Sequence, residues 1–391
     1  MSTCCYDQAD FLRVIPHTVR EFGIEARKNG KVWELAFNGP IQPIGDKYGV
    51  CVRLARIKNP TTRELFSTNI LFHMPSQMMH GMHNVYDLVH QVQFTRIVAP
   101  AYDDNIADYK LSLGNYEPNP EGVILEDIRI APMGDLWWVT GQGYRGKVLI
   151  GDGFVHDVSV YGALVDPLSL GRRLELLPLF GGNKQGSYKN SVLLPSPEGE
   201  TWIGARSMYQ TKNLHFFSLT ELGWQMRGEI CGLSDCMPKE AWEDVRRVGL
   251  GSNFVPCPEL GGFVGFVHVV SDKNSPAKSR TNDLLYPNIE EQYDGWAVLL
   301  KIEKGQPVIK GAARALTPDS KPFCYSGLGE LFSTKRVAFP ISLYVSGTSF
   351  HVGYGWGDRS LFEAVYERHE MISQLMSRSA ERSSVTEGLA L

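Results

Sequence analysis

Residues 125–129 read Leu-Glu-Asp-Ile-Arg, just ahead of an apolar run at 136–140. Residues 263–268 form an apolar strand pattern that ends on His268, and the Gly-rich run 349–358 ends on Asp358. Charged and imidazole groups delivered at one end of successive strands are how a β-propeller builds a polar pocket at its axis. Acids and bases collected there suit a sugar and a phosphate, because Lys and Arg hold phosphate oxygens while carboxylates and amides accept sugar hydroxyls.

The elements that would position these groups are short β-rich runs at 32–37, 49–57, 92–98, 122–130, 136–141, 147–150, 158–165, 191–194, 201–205, 214–218, 262–270, 296–302, 337–343 and 348–353. Gly, Pro, Asn and Asp punctuate them. No alternation of strand and long helix points to a parallel α/β sheet. Residues 122–130, 132–135 and 136–141 read as strand, tight turn, strand, and so do 191–194, 195–199 and 201–205. Such units recur at about 40–50 residues, the size of a propeller blade. Two helices are expected. One is short, over 238–248, with Pro238 near its start and Arg246 and Arg247 in its last turn. The other is long, over 361–382, with Leu361, Val365, Ile372, Leu375 and Met376 on one face.

Composition limits the partners. The chain has 391 residues and a net charge of −4, an ordinary globular composition with no electrostatic footprint for nucleic acid or an anionic membrane. No apolar run approaches the ~20 residues that span a bilayer. Seven cysteines at irregular spacing, with no apolar leader in residues 1–10, fit reduced thiols in the cytoplasm. Residues 73–90 hold four His and four Met, but their spacings match no standard metal site. This segment reads instead as a mobile loop over the pocket, since flexible Met side chains repack readily. The Met-rich segment and an outer helix are also compatible with a homodimer. No metal and no cofactor is expected.

Several ordered motifs then carry a resemblance. They are Phe37-Asn38-Gly39-Pro40 with Arg53 ending a strand; Glu126-Asp127-Ile128-Arg129; Tyr188-Lys189-Asn190 before Leu193-Leu194-Pro195; and Arg206 on the partner strand. Val267-His268-Val269, Tyr293 ahead of 297–300, and Tyr354-Gly355-Trp356-Gly357-Asp358 follow in the same order. Over roughly residues 30–365 the chain resembles glycoside hydrolase family 130, the β-mannoside phosphorylases. On the same motifs it resembles glycosyltransferase family 108, the protozoan β-1,2-mannosyltransferase/phosphorylases. It departs from the first pattern at Ile128, Asn190 and Lys301.

The resemblance implies an all-β fold, a five-bladed β-propeller with a C-terminal helix packed outside. The corresponding division is an N-terminal extension (1–29), a catalytic propeller (30–360) and a C-terminal helix and tail (361–391). It implies an inverting enzyme with a single acid. Phosphate is itself an anionic nucleophile, so one carboxylic acid suffices where a hydrolase needs two. Asp104 aligns with the family acid, which works through a sugar hydroxyl, and Asp103 is the runner-up. Lys189, Arg206, His268 and Arg129 would bind phosphate; Asn38, Arg53, Asp127, Tyr293 and Asp358 would bind sugar. Simpler readings stand beside these: a turn cap for Asn38 or Asp358, an Asp127–Arg129 pair across a blade, a core position for His268, and blade packing for Trp137, Trp138, Trp296 and Trp356. The expected substrates are a β-1,2-mannooligosaccharide with inorganic phosphate or mannose 1-phosphate, with GDP-mannose as a further donor. The alternatives are a β-mannoside hydrolase and a non-catalytic sugar-binding propeller.

Overall fold

Tight two-residue connections set the registers. Met133 pairs with Leu136 across Gly134, whose φ of +62° is a left-handed conformation that glycine adopts freely. Glu303 pairs with Gln306 across Lys304 and Gly305, both at positive φ, as a type I′ turn requires. In the computed structural model, residues 13–28, 31–37, 39–59, 64–99, 123–150, 153–181, 187–197, 199–208, 210–272, 291–318, 336–356 and 360–378 are described. The chain is mostly β. No helix among these residues is long and apolar enough to cross a membrane.

Among the described residues the strands form one 16-stranded sheet and two four-stranded sheets. Along the chain they run in five groups of mainly antiparallel neighbours, of which the first and fifth are linked through Thr18–Lys28, and the fourth and fifth through the pairing of Glu291–Glu303 with Arg336–Ser346. After β1 (Thr18–Lys28) the first group is β2 (Lys31–Phe37), β3 (Ile41–Ile44), β4 (Lys47–Asn59) and β5 (Glu64–Pro75), joined past β6 (Gly81–Asn84) and helix α1 (Val85–Gln91) by β7 (Phe94–Val98). The second is β8 (Ile124–Met133), β9 (Leu136–Ile150), β10 (Gly153–Val165) and, past β11 (Arg173–Glu175), β12 (Leu177–Gly181). The third is β13 (Tyr188–Leu194), β14 (Trp202–Ser207), β15 (Leu214–Thr220) and β16 (Gly223–Glu229). Helix α2 (Lys239–Glu243) precedes the fourth, formed by β17 (Val245–Leu250), β18 (Val255–Cys257), β19 (Gly262–Asp272), β20 (Glu291–Glu303) and β21 (Gln306–Leu316). The fifth is β22 (Arg336–Ser346), β23 (Ser349–Trp356) and β24 (Ser360–Glu367), followed by helix α3 (Arg368–Ser377). Strand β1, which the sequence reading leaves inside the N-terminal extension, pairs with β24 and completes this last group.

Five apolar clusters join these groups pairwise. Cys51, Leu71 and Ile97 of the first meet Ile128, Ile130 and Trp137 of the second. Val160 and Phe180 meet Tyr188, Ile203 and Phe217. Val192 and Phe216 meet Val248, Val267 and Trp296. Phe266 and Ala297 meet Phe350, Tyr354 and Phe362. Finally Ile24, Tyr344 and Leu361 return to Val50, Val52 and Phe72 of the first group. Burial of apolar surface on this scale is the main stabilising term of the fold. A polar knot ties distant segments together as well. Gln42 Nε2 donates to Ile130 O (3.3 Å), Asn253 Oδ1 (3.1 Å) and Leu343 O (3.2 Å), while Asn253 Nδ2 donates to Leu343 O at 2.9 Å.

Three expectations are corrected. The long helix over 361–382 begins only at Arg368, because Ser360–Glu367 pairs with β23 and β1 on both sides. Aromatic and β-branched residues such as Phe362, Val365 and Tyr366 favour that half-buried sheet, and tertiary pairing overrides the helical spacing. The short helix over 238–248 stops at Glu243, and Val245–Leu250 is drawn into a strand beside β19. The Met- and His-rich segment is not a loop over a pocket. It forms the end of β5, a single turn, β6 and α1, with Met74, Met79, Val85 and Leu88 buried in the core. Trp137, Trp296 and Trp356 are likewise buried in apolar clusters.

Candidate active site

Two bulges open the site. The β8–β9 register slips between Glu126 and Arg129, and the β13–β14 register slips between Lys189 and Val192. At each slip a non-glycine residue takes a left-handed backbone, Asp127 at φ +48° and Asn190 at φ +56°. Asp and Asn are the side chains that tolerate this conformation best, and such strain persists only where neighbours hold it. Gln142 supplies the hold. Its Nε2 donates to Asp127 Oδ2 at 2.8 Å, and its Oε1 accepts from the Asn190 backbone N–H at 2.8 Å. Asn190 Nδ2 completes the clamp on Asp127 Oδ2 at 3.3 Å.

The clamp turns adjacent side chains toward one another. Lys189 sits opposite Arg206 in the β13–β14 ladder. The Arg129 guanidinium lies 5.2 Å over the Phe339 ring, and the His268 ring lies 4.4 Å from that same ring. His268 also stacks on Tyr293, whose hydroxyl accepts from Arg247 Nη2 at 2.9 Å. Arg247 is paired in turn with Glu291. Bare backbone at Gly249 makes room for this arrangement, since a Cβ there would stand 2.1 Å from His268 Cε1 and 2.7 Å from Asn190 Oδ1.

The electrostatics follow from crowding like charges in a dry place. Burial lowers Arg129 to about 10. Burial, then the nearby Arg247, lowers Arg206 to about 10. Burial and then Arg206 lower Lys189 to about 8. Burial, followed by the charges of Arg206, Arg129 and Lys189, holds His268 well below the usual imidazole range. Lys189, Arg206 and Arg129 therefore remain cations at neutral pH, and His268 is a neutral hydrogen-bonding group rather than a fourth cation. Arg129 Nε and Nη2, Arg206 Nε, His268 Nδ1 and Asn190 Oδ1 are buried with no hydrogen-bond partner among the described residues. Unpartnered buried polar atoms are costly, and the donors among these, on Arg129 and Arg206, call for a ligand.

Beside this cluster Arg53 is paired with Glu126, and the Tyr144 hydroxyl hydrogen-bonds Glu126 while accepting from Lys189 Nζ at 3.3 Å. Of the residues read from the sequence, the structure brings Arg129, Lys189, Arg206 and His268 together, with Asp127 and Tyr293 supporting them. Arg53 stands next to them through Glu126. Asp104, Asp103, Asn38 and Asp358 lie outside the described residues. Sequence reasoning missed Gln142, Tyr144 and Arg247. The first two lie between the runs read at 136–141 and 147–150, which the structure joins into one strand, and Arg247 was hidden by the expected helix.

This architecture is that of the β-mannoside phosphorylases of glycoside hydrolase family 130 and of mannose phosphorylase from Leishmania, at the level of fold. No protein-family model matches the sequence, and none of the curated proteins matches it. Among solved structures, a glycosyl hydrolase from Bacteroides ovatus superposes with a TM-score of 0.55 and 14% identity, over 90% of this chain and 93% of that one. β-1,2-Mannobiose phosphorylase from Listeria innocua, solved with β-1,2-mannobiose, gives 0.51 and 16% over 90% and 95%. A mannose phosphorylase from Leishmania mexicana, solved with phosphate, gives 0.50 and 10% over 90% and 89%.

Proposed function

We propose that the chain is a carbohydrate-active enzyme that cleaves β-1,2-mannosides with phosphate and, in reverse, transfers mannose from mannose 1-phosphate to a β-1,2-mannan acceptor. The observation that carries this reading is the nest of buried guanidinium donors, Arg129 and Arg206, left unpartnered beside Lys189. Neither arginine has a carboxylate at ion-pair distance among the described residues, so the nest holds positive charge suited to a phosphate dianion. The five antiparallel groups, joined pairwise in a cycle by their apolar clusters, support a five-bladed propeller with this nest at its hub. The known neighbours of the same fold, which bind mannobiose and phosphate, favour the same substrates.

In this mechanism the cations hold phosphate against the anomeric carbon. A phosphate oxygen forms the new bond to C1 as the bond from C1 to the leaving oxygen breaks on the opposite face. Asp104 gives its proton toward that leaving oxygen, and the proton carried by phosphate restores the acid. Holding both reactants in line converts an encounter into a unimolecular step. Arg53, Asp127, Tyr293, Asn38 and Asp358 serve the sugar side. GDP-mannose is the second donor to test.

Incubation of the protein with β-1,2-mannobiose and phosphate is expected to yield mannose 1-phosphate and mannose in equal amounts. Asp104→Asn should abolish turnover while phosphate still raises Tm, and Asp103→Asn should retain turnover. Mannose released without phosphate consumption would make the enzyme a hydrolase. No turnover with either donor, together with a Tm indifferent to phosphate, would sink the catalytic reading.

A further inference from the structure

Tyr144 stands between a cation that must stay available and a carboxylate that would capture it. Among the described residues the Lys189 ammonium makes one hydrogen bond, to the Tyr144 oxygen at 3.3 Å, and no carboxylate lies within ion-pair distance of it. The Tyr144 proton goes the other way, to Glu126, which is itself paired with Arg53. Desolvation and the nearby Glu126 push the phenol well above its ordinary range, so it is neutral where Lys189 is charged. An ammonium held by a neutral phenol gives up that contact to an incoming dianion readily, whereas one held by a carboxylate does not, because the carboxylate adds the attraction of an opposite charge, which is strong in a desolvated site.

We infer that Tyr144 is a positioning residue that insulates Lys189 from Glu126, fixing the ammonium for an anionic substrate while keeping it from forming a closed ion pair. The inference rests on the phosphate-binding reading of the site. It makes Arg53 and Glu126 a fixed support, with Arg53 anchoring the carboxylate, Glu126 orienting the phenol, and the phenol orienting the lysine.

Tyr144→Phe removes only the oxygen. Lys189 should then close on Glu126, so two readings move together. The Kd for inorganic phosphate, measured by calorimetry on the full chain without sugar, should rise at least tenfold. The pH above which phosphate affinity falls should move up from about 8, because a carboxylate partner holds the lysine proton longer. The double variant Tyr144→Phe with Glu126→Gln should recover most of the lost affinity, since the competing carboxylate is gone. An unchanged Kd in Tyr144→Phe overturns the inference. So does weaker binding with the alkaline limb at or below about 8, which describes loss of a simple support. Wild-type protein that binds no phosphate sinks the functional reading and this inference together, whereas wild type that binds beside an unaffected Tyr144→Phe sinks this inference alone. If the single variant fails to fold, Glu126→Gln in the wild-type background keeps the test open: insulation requires its phosphate Kd to stay within about twofold, and a tenfold loss would show that Glu126 acts on Lys189 directly.

Discussion

Arg314 and Arg206 are buried alike, 3% and 4% exposed, and differ in their company. Arg314 Nη2 meets Asp294 Oδ2 at 2.7 Å, and Gln292 Nε2 donates to both oxygens of the same carboxylate at 2.8 and 3.0 Å. A second paired cluster sits between β1 and β22–β24. There Glu363 accepts from Arg20 at 2.9 Å and from the Tyr344 hydroxyl at 2.5 Å, with His351 Nδ1 3.5 Å away. Burial alone would raise the Glu363 carboxyl, but the nearby His351 imidazole, together with the Tyr344 and Arg20 hydrogen bonds, brings it below its usual range. Arg206 has Lys189 opposite it, Arg247 nearby and no carboxylate at ion-pair distance among the described residues. Each arginine keeps a buried Nε without a hydrogen-bond partner among the described residues, so the difference between them is the carboxylate: Arg314 has one and Arg206 does not. Open charges lower stability, and a fold keeps them where a ligand supplies the missing partner.

The largest test of this contrast is to open a closed charge. Asp294→Ala strands Arg314 and Gln292 in the interior. Breaking a buried pair from one side costs about 3–5 kcal/mol. Urea denaturation should report a loss of that size. A loss under about 1 kcal/mol would mean that the two arginines do not differ as described.

The converse test removes an open charge. Arg206→Met keeps the volume and deletes an uncompensated guanidinium, so the unliganded protein should gain about 2 kcal/mol, within the range seen when buried ions are replaced by apolar side chains. Phosphate should no longer raise Tm, and phosphorolysis should be lost. A variant that is both less stable and still protected by phosphate would move Arg206 into the structural class with Arg314.

These contrasts were only half legible in the chain. The hairpins β8–β9 and β13–β14 could be read because their turns carry Pro, Gly and Asp between alternating strands; strand ends then pointed to Arg129 and His268, and the family resemblance supplied Lys189 and Arg206. Local chemistry carries that much. The state of His268 could not be read, because its lowered proton affinity comes from burial and from Arg206, Arg129 and Lys189, which lie 62 to 139 residues away in sequence. Leu361, Val365, Ile372 and Leu375 repeat at helical spacing, yet the first two pair in a sheet that only the returning β1 completes. The Met-rich segment looked like a flexible cover because it was read without the apolar face of β4 and β5 that it packs on. Gln142 and Tyr144 fall between the runs read at 136–141 and 147–150, which the structure joins into the single strand β9, and their role appears only when the bulges at Asp127 and Asn190 bring their partners across.

The smallest effect is also the most specific to Lys189. Its folded value of about 8 is below the unfolded value of 10.5, so charging it is disfavoured in the unliganded fold. Below about pH 8 both states hold the proton and the whole penalty stands. Between about 8 and 10.5 the unfolded chain binds more protons than the folded one, so this group's contribution to stability rises with pH. On the proposed function, bound phosphate would reverse the relation by pairing the ammonium, so its protection would be greatest where Lys189 is charged. The phosphate-dependent rise in stability should therefore shrink between pH 7.5 and 9.5, by at most about 1.4 kcal/mol for each pH unit above 8, the equivalent of a tenfold loss of affinity. Paired melts with and without phosphate cancel the titration of every group the anion does not touch. Lys189→Met should give a small protection that is flat across the same range. If wild-type protection were equally flat, the charge that phosphate meets would belong to Arg129 and Arg206 alone, and the open nest would be two residues rather than three.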